Sequence, residues 1–315
     1  MSAATPYATL SPQSVLAAVE SAGIRTDGRL LALNSFENRV YQVGVEDSPP
    51  LIAKFYRAAR WSDAAIREEH AFARELADAE LPVVAPLPFG NSTLLHFETF
   101  RFALYPRQGG RAPELESAEN LAWVGRLLAR LHGVGSRARF QARGAIDRAT
   151  FIAAPSRAVL ASRLLPAELR DKYARIVGDL DRVIAEHWRA AGDIASIRLH
   201  GDCHAGNVLW TDSGPHFVDL DDARMGPAVQ DLWMLAPSAR PLDALLEGYA
   251  EFRDFDRREL GLVEPLRAMR QVHYAGWIAQ RWDDPAFPRA FPFVTEPRWW
   301  AQHVEDLREA VESLH

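Results

Sequence analysis

The segment LHGDCHAGNVLW, residues 199–210, restricts what this chain can fold into more than any other part of it. Asp202 is followed five positions later by Asn207, and Asp219 stands at the end of a short apolar strand predicted over HFVDL. A carboxylate, an amide and a second carboxylate are the oxygen groups that phosphoryl transfer to a hydroxyl requires. The pattern predicts a catalytic loop in which Asp202 accepts the hydroxyl proton, and Asn207 and Asp219 hold Mg²⁺.

Two structural alternatives remain open for this segment. Asp and Asn beside glycines commonly build turns without any catalytic role. A zinc site is the other alternative, because His200, Cys203 and His204 are close together. Zinc sites of that kind need a further ligand pair, however, and Cys203 is the only cysteine of the chain. We therefore expect His200 to bond nearby backbone and Cys203 to be a small buried residue.

Lys54 interrupts the otherwise apolar strand LIAKFYR. Taken alone, a lysine on such a strand is equally well explained by a solvent-facing position. Together with the downstream carboxylates it becomes the cation expected on the α- and β-phosphates of ATP, paired with a carboxylate of the next helix. Glu69 is the predicted partner because it lies on the apolar stripe of that helix. Glu68 points about 100° away and is expected to remain solvated.

Length and composition indicate a folded chain with two lobes. At 315 residues the chain exceeds the size at which one hydrophobic core stops growing, and 48% hydrophobic and 25% charged residues are ordinary globular values. Helical periodicity begins after the stretch RQGGRAPELE, which follows Pro106. We place the boundary there, with an N-lobe over residues 1–106 and a C-lobe over 107–315. ATP is expected in the cleft between them, with its adenine near residues 104–106.

The hydrophobic patterns of the two lobes differ. Short β-branched and aromatic segments in the N-lobe predict antiparallel strands, and Ser62 is expected to cap a helix between them. Apolar stripes at spacings of three and four predict long core helices in the C-lobe. The predicted strands cover residues 30–33, 40–45, 51–55, 93–96 and 100–105, and the helical stripes cover residues 66–76, 121–131 and 169–187.

The segments LNSFENRVYQV, IAKFYR, LHGDCHAGNVLW and FVDLDDARMGPAVQDLWML together resemble the bacterial stress response kinase A family of serine/threonine protein kinases. That family lies within the wider aminoglycoside phosphotransferase and choline kinase group. The resemblance implies an α+β, bilobal protein-kinase-like fold, with a small N-lobe of antiparallel sheet plus helix and a larger, mainly helical C-lobe. It also implies ATP and Mg²⁺ as cofactors, and a protein substrate with a Ser or Thr hydroxyl.

The resemblance also implies roles for individual residues of this sequence. It implies Asp202 as proton acceptor, Asn207 and Asp219 as metal ligands, and Ser35 in the loop that covers the ATP phosphates. This loop has no Gly-x-Gly-x-x-Gly, so Asn, Ser and backbone N–H groups would have to cover the phosphates. The stretch from Asp219 to Asp231 contains no Ser, Thr or Tyr, which leaves no activation-loop phosphosite.

Other readings of the same residues stay open. A small hydroxylated amine or sugar could be the acceptor, since such kinases share the catalytic residues. A nucleotide-binding pseudokinase is disfavoured because Lys54, Asp202 and Asp219 are all present. The net charge of −6 without a basic run argues against nucleic acid, and no apolar stretch approaches the roughly 18 residues of a membrane span. We expect a cytoplasmic monomer.

Several charged residues around the predicted site have expected roles of their own. Asp231 is expected to cap the helix that follows it and to bond the catalytic-loop backbone, as its counterpart in the family does. Asp221 and Asp222 are expected to be solvated turn residues. His132, at the end of a predicted helix, is expected to be structural. Arg267 and Arg270 are candidates for the acceptor side of the cleft.

Overall fold

The computed structural model describes residues 6–236 and 238–315 of the chain. Its N-terminal part forms a small lobe of sheet and two helices. The elements are α1 (Pro12–Ser21), β1 (Thr26–Leu33), β2 (Arg39–Val45), β3 (Ser48–Phe55), α2 (Asp63–Asp78), β4 (Leu95–Phe97) and β5 (Phe100–Pro106).

The strands of the N-lobe pair antiparallel in the order β1-β2-β3-β5-β4. Alternation along β3 places Ala53 and Phe55 in the core against α1, while Ile52 lies on the opposite face of the sheet. Lys54 has the same parity as Ile52 and therefore faces the cleft side. Its position follows from the pleat of a strand in which residues 49–53 and 55 are apolar.

Most predicted N-lobe elements are present. The strands predicted over 30–33, 40–45, 51–55 and 100–105 lie within β1, β2, β3 and β5, whereas β4 begins two residues later than the segment predicted from residue 93. The Ser62 hydroxyl accepts a hydrogen bond from Ala65 N at 3.1 Å, which is the predicted N-cap of α2. Helix α1 was not predicted, although Ser11 followed by Pro12 is a signal for a helix start.

The C-lobe is mainly helical. Helices α5, α8 and α10 share one core around Tyr173, Met269 and Trp300, and α3 packs with α7 in a second core that also contains Phe217. The elements are α3 (Ala118–Gly135), α4 (Ala154–Ala161), α5 (Arg170–Ala191), β6 (Ile197–Arg198), β7 (Val208–Thr211), β8 (Gly214–Phe217), β9 (Met225–Gly226), α6 (Val229–Trp233), α7 (Ala239–Ala250), α8 (Val263–Gln280), α9 (Ala286–Ala290) and α10 (Pro297–Ser313).

Two small antiparallel strand pairs, β6 with β9 and β7 with β8, frame the predicted catalytic loop. The loop leaves β6 and enters β7, and Asp219 follows two residues after the end of β8. Pairing of β7 with β8 therefore brings Asn207 and Asp219 to the same end of this hairpin. Across residues 6–236 and 238–315, no helix is both long enough and apolar enough to cross a bilayer.

A buried ionic clamp joins the two lobes. The carboxylate of Asp284 in the C-lobe is bound by Arg39 NH2 at 2.9 and 3.0 Å and by Arg57 NH2 at 2.5 Å, both from the N-lobe. Asp284 is only 2% exposed. Charges buried at this depth are stable only when paired, so this contact holds the lobes at a defined separation.

Candidate active site

A cavity of about 700 Å³ lies between the lobes. Ile52, Val84 and Tyr105 line it from the N-lobe side, and Leu209 lines it from the C-lobe side. This volume is in the range of small-molecule and cofactor sites. The six residues predicted to bind ATP or Mg²⁺ or to accept the proton all line this cavity, namely Ser35, Lys54, Glu69, Asp202, Asn207 and Asp219.

The Asp231 carboxylate binds the backbone of the predicted catalytic loop. One carboxylate oxygen accepts from His200 N at 2.8 Å and the other from Gly201 N at 2.9 Å, and His132 Nε2 lies 3.1 Å away. Asp231 lies inside α6, so its carboxylate bonds the loop, as expected, without capping the helix. His132 is fully buried and also contacts the hydroxyl of Tyr249, which is consistent with its predicted structural role.

Residues His200 and Cys203 have structural contacts. His200 Nε2 lies 2.9 Å from the carbonyl oxygen of Val218, and both His200 and Cys203 are fully buried. The nearby His204 accepts a hydrogen bond at Nδ1 from Gly206 N at 2.9 Å. These side chains thus have the packing and backbone contacts that we expected in place of a zinc site.

The Asp202 side chain is partly exposed to the cavity. Arg270 NH1 donates to its Oδ1 at 2.8 Å, and His204 Nε2 lies 3.5 Å from its Oδ2. Burial raises the pKa of Asp202, but the contact with His204 and the charge of Arg270 outweigh this effect and leave the pKa below its ordinary value. The group is therefore a carboxylate at neutral pH, able to accept a hydrogen bond from a hydroxyl.

Asn207 and Asp219 both line the cavity. The amide nitrogen of Asn207 donates to the Asp202 carbonyl at 2.9 Å, so its amide oxygen is the atom left to bind a cation. Val218 N donates to the Asn207 carbonyl at 3.0 Å, which ties the two segments together. Asp219 has the left-handed conformation, with φ 61°, and its side chain is 55% exposed.

Lys54 pairs with two carboxylates of the C-lobe. Its Nζ lies 2.8 Å from Asp219 Oδ1 and 3.4 Å from Asp221 Oδ1. Burial lowers the pKa of Lys54, but these carboxylates more than compensate, and the pKa lies well above its ordinary value. The predicted ion pair with Glu69 is absent among the described residues. Asp219 and Asp221 take the place of Glu69 because the turn after β8 brings them directly against the ammonium.

Glu69 does face inward, as its place on the apolar stripe predicted. It is 2% exposed, and its Oε2 has no hydrogen-bond partner among the described residues. Burial raises the pKa of Glu69 to about 7, although Lys54 and Arg143 act in the opposite direction. The carboxyl group is thus close to the Lys54 charge without an ion pair to it.

Glu68 is not merely solvated, contrary to expectation. Its carboxylate accepts hydrogen bonds from the backbone N–H groups of residues 141–143 at 2.7, 2.8 and 3.0 Å. Three consecutive N–H groups form a natural cradle for a carboxylate. Glu68 therefore anchors a C-lobe loop to α2, a contact that helical periodicity cannot reveal.

Asp221 and Asp222 were expected to be solvated turn residues, and this expectation is wrong. Asp221 is 4% exposed and accepts from Asn38 Nδ2 at 3.0 Å and from Arg60. Asp222 pairs with Arg60 at 2.8 Å and with Arg224 at 3.2 Å. A short helical turn, Leu220–Asp222, directs these carboxylates into the cleft, where the N-lobe supplies Arg60 as their partner.

The segment predicted to cover the phosphates, residues 34–40, contains a loop over residues 34–38 that is held by side-chain contacts. Ser35 Oγ donates to the Asn38 carbonyl at 3.1 Å, and the buried Asn38 amide oxygen accepts from Arg57 N at 3.2 Å. Glu37 extends to the C-lobe, where Trp277 Nε1 donates to its Oε2 at 2.6 Å. The loop is therefore bound to both lobes without a glycine-rich sequence.

The side chains of Arg267 and Arg270, both on α8, point to different sites. Arg270 lines the cavity and contacts Asp202. Arg267 pairs with Glu264 at 2.8 Å and lies in a separate surface groove beside α10. Of these two candidates for the acceptor side, only Arg270 lines the cavity.

Comparisons with known proteins agree with this geometry. The model of the phosphotransferase enzyme family, APH, matches residues 29–263. Stress response kinase A of Escherichia coli strain K12 is 44% identical over 313 residues, which cover 98% of this chain and 94% of that protein. "Serine/threonine protein kinase RdoA" of Salmonella typhimurium strain LT2 is 44% identical over 314 residues, covering 98% of this chain and 95% of that protein.

Solved structures with the same fold are more distant in sequence. Amicoumacin kinase hAmiN, in complex with AMP-PNP, Ca²⁺ and Ami, has a TM-score of 0.72 at 15% identity, over 94% of this chain and 92% of that chain. A microcompartment-associated aminopropanol kinase has a TM-score of 0.70 at 16% identity, over 97% and 98% of the two chains. These similarities confirm the predicted bilobal α+β fold, and the sequence relatives confirm the predicted resemblance.

Proposed function

Because the chain belongs to the phosphotransferase enzyme family, we propose that it transfers the γ-phosphoryl group of ATP, with Mg²⁺, to Ser or Thr hydroxyls of a protein. That it is a kinase rests on this family and on kinase relatives at 44% identity. The choice of a protein acceptor draws on a relative named as a serine/threonine protein kinase and on the charges around Asp202.

The charge pairing on the C-lobe side of the cavity is the observation that carries the acceptor proposal. A kinase of cationic amines needs unpaired carboxylates to bind the ammonium group. In this cavity each C-lobe aspartate already has an arginine or lysine partner. The pairs are Asp202 with Arg270, Asp219 with Lys54, Asp221 with Arg60 and Asp222 with Arg224. A peptide hydroxyl has no charge and needs no such carboxylate.

Asn207 and Asp219 fit Mg²⁺ by the chemistry of their donors. Both present hard oxygen atoms at the cavity, and Asp219 is accessible. Residues 6–236 and 238–315 hold no group of three His, Cys, Asp or Glu side chains able to hold an ion alone. This is the pattern expected where phosphate oxygens complete the ligand set. When bound, Mg²⁺ supplies positive charge to the phosphates.

The proposed roles of the other site residues follow from their positions in the cavity. Asp202 accepts the hydroxyl proton while the hydroxyl oxygen attacks the γ-phosphorus and the bond to ADP breaks. Lys54, released from Asp219, binds the α- and β-phosphates, and Glu69 then becomes its partner. Ser35 and the backbone of residues 34–38 cover the phosphates, and adenine lies near Tyr105.

The proposed lobe boundary lies between residues 106 and 107, because β5 ends at Pro106. The cavity lining includes Tyr105 and Pro106, so the connecting segment borders the nucleotide pocket. A cytoplasmic monomer that does not bind nucleic acid remains a prediction.

A labelled γ-phosphate assay tests the function. Purified protein is given Mg²⁺ and ATP with dephosphorylated casein, with no added acceptor to detect autophosphorylation, or with a panel of choline, aminoglycosides and sugars. Asp202→Asn removes the proton acceptor, so we expect transfer to fall by at least about 100-fold while ATP affinity is retained. Full turnover by this variant would refute the role of Asp202. Label on small molecules alone would refute the protein acceptor in favour of a small-molecule kinase.

A further inference from the structure

Arg270 contacts Asp202 from a distant part of the chain. It lies on α8, 68 residues after Asp202, and its NH1 donates to Asp202 Oδ1 at 2.8 Å. The arginine side chain is 38% exposed and lines the cavity. Its helix is firmly packed, because neighbouring Met269 and Val272 are fully buried in the C-lobe core. The guanidinium is therefore presented to the active site by a rigid element.

The two oxygens of the Asp202 carboxylate differ in how they are held. Oδ1 receives the short hydrogen bond from Arg270, whereas Oδ2 lies 3.5 Å from Nε2 of His204, longer than an ordinary hydrogen bond of this type. The His204 side chain is itself 41% exposed and lies in the same loop as Asp202. Arg270 is thus the firm contact of this carboxylate, and Oδ2 is the oxygen open to an incoming hydroxyl.

We propose that Arg270 is a positioning residue, which binds Asp202 Oδ1 and thereby directs Oδ2 toward the acceptor hydroxyl. The inference rests on the proposed role of Asp202 as proton acceptor. A charge-assisted bond to one oxygen restricts rotation of the carboxylate about its Cβ–Cγ bond. Reaction rates are sensitive to the orientation of the reacting groups, so a carboxylate free to rotate accepts the hydroxyl proton less often.

Variants of Arg270 test the proposal in the full-length chain, with dephosphorylated casein and labelled ATP. Arg270→Ala is expected to lower kcat by about 10- to 100-fold, which is less than the loss expected when the general base itself is removed. KM for ATP should change by less than about twofold. Arg270→Lys should recover part of kcat, because lysine keeps one charged donor without the planar fork. Arg267→Ala, on the same helix but outside the cavity, is the control and should retain wild-type kcat.

Chemical rescue separates positioning from a merely structural role. Added guanidinium ion at non-denaturing concentration should raise kcat of Arg270→Ala and leave kcat of Arg267→Ala unchanged. A kcat of Arg270→Ala within about twofold of wild type would refute the inference. A loss of ATP affinity by as large a factor as the loss of kcat in Arg270→Ala would also refute the inference. Failure of guanidinium ion to raise kcat of Arg270→Ala would refute it as well.

The outcome for Asp202→Asn distinguishes this inference from the function it rests on. If Asp202→Asn keeps its activity, the proposed proton acceptor is wrong. If Asp202→Asn is inactive and Arg270→Ala is fully active, the proton acceptor stands and only the role of Arg270 is wrong. Should the wild type label only a small molecule, the same variants are compared with that molecule as acceptor, and the same outcomes decide.

Discussion

Glu69 and Lys54 show how strongly burial acts on single charged groups in this cleft. Lys54 keeps its charge because two aspartates lie within 3.4 Å of its ammonium. Glu69, at a similar depth, lies 3.8 Å from Nε2 of His70, whose pKa burial lowers to about 3, so this ring brings no positive charge at neutral pH, and burial raises the pKa of Glu69 to about 7. A carboxyl group that loses its proton only near neutral pH makes the free energy of unfolding depend on pH.

The sign of this dependence follows from the two pKa values of Glu69. The pKa is about 7 in the folded chain and 4.5 ordinarily, so between these values the folded state binds more protons than the unfolded state. The contribution to stability is fully present below pH 4.5 and is lost as the pH rises through 7. Glu69→Gln keeps a neutral side chain at every pH. We expect the variant to become more stable than wild type above neutral pH, by up to about 3 kcal/mol.

Urea unfolding without nucleotide, from about pH 5 to pH 9, measures this difference. The quantity compared is the free energy of unfolding of Glu69→Gln minus that of wild type at each pH. This difference should grow with pH and level off above the folded pKa. A difference that stays constant over the range would contradict the assignment.

The catalytic loop, between β6 and β7, depends on glycine at one position. Gly201 has φ +86°, and a Cβ there would come within 2.1 Å of the Asp222 carbonyl oxygen. Both the left-handed backbone and the close approach exclude a side chain. The same residue donates its N–H to Asp231, so the loop conformation that presents Asp202 is fixed from two sides.

Gly201→Ala is therefore expected to destabilise the chain by more than about 2 kcal/mol and to lower phosphoryl transfer through displacement of Asp202. Denaturant unfolding and the casein assay measure the two effects. Gly133→Ala is the matched control, because Gly133 lies within α3 and a Cβ there meets nothing within 4 Å. It should be neutral or stabilising by up to about 1 kcal/mol. Equal effects of the two substitutions would contradict the role of Gly201.

At the scale of the whole molecule, ion pairs between side chains of the two lobes cross the cleft. Asp284 of the C-lobe binds Arg39 and Arg57 of the N-lobe, and Arg281 Nε lies 2.6 Å from Glu37 Oε2 in the loop at residues 34–38. The Asp284 pairs connect the segment after α8 to β2 and to the residues after β3, and the Arg281 pair connects it to the loop at residues 34–38. The separation of the lobes, and hence the shape of the cavity between them, depends on these contacts.

Asp284→Asn removes the carboxylate that binds Arg39 and Arg57, and leaves Arg57 with Glu37, 3.1 Å away, as its remaining counter-charge. We expect a loss of about 3–5 kcal/mol in the free energy of unfolding, as for other buried pairs broken on one side, and a higher KM for ATP. Asp283→Asn, at the exposed neighbouring position, should change neither quantity. Unfolding and ATP titrations of both variants test this. An Asp284→Asn protein with wild-type stability and KM would show that the clamp does not hold the lobes.

Local sequence patterns were enough to find four of the residues that line the cavity, namely Lys54, Asp202, Asn207 and Asp219. The spacing of Asp202 and Asn207, the carboxylate after an apolar strand and the lysine within another strand are short-range patterns, set by loop and strand geometry. The strand pattern alone left a solvent-facing Lys54 equally possible, and the downstream carboxylates favoured the cleft, which Lys54 lines. The two-lobe α+β fold followed from the change of hydrophobic period after Pro106, since each period fits one kind of secondary structure.

The tertiary structure alone decided which charges meet. Lys54 pairs with Asp219 and Asp221 where Glu69 was expected, and Arg270 reaches Asp202 across 68 residues of chain. Glu68 binds the backbone of residues 141–143 although its helical position predicted solvent. Periodicity tells which face of an element is buried, but not which element covers it. Ion pairs between distant segments depend on that covering, and so they become visible only when the chain is folded.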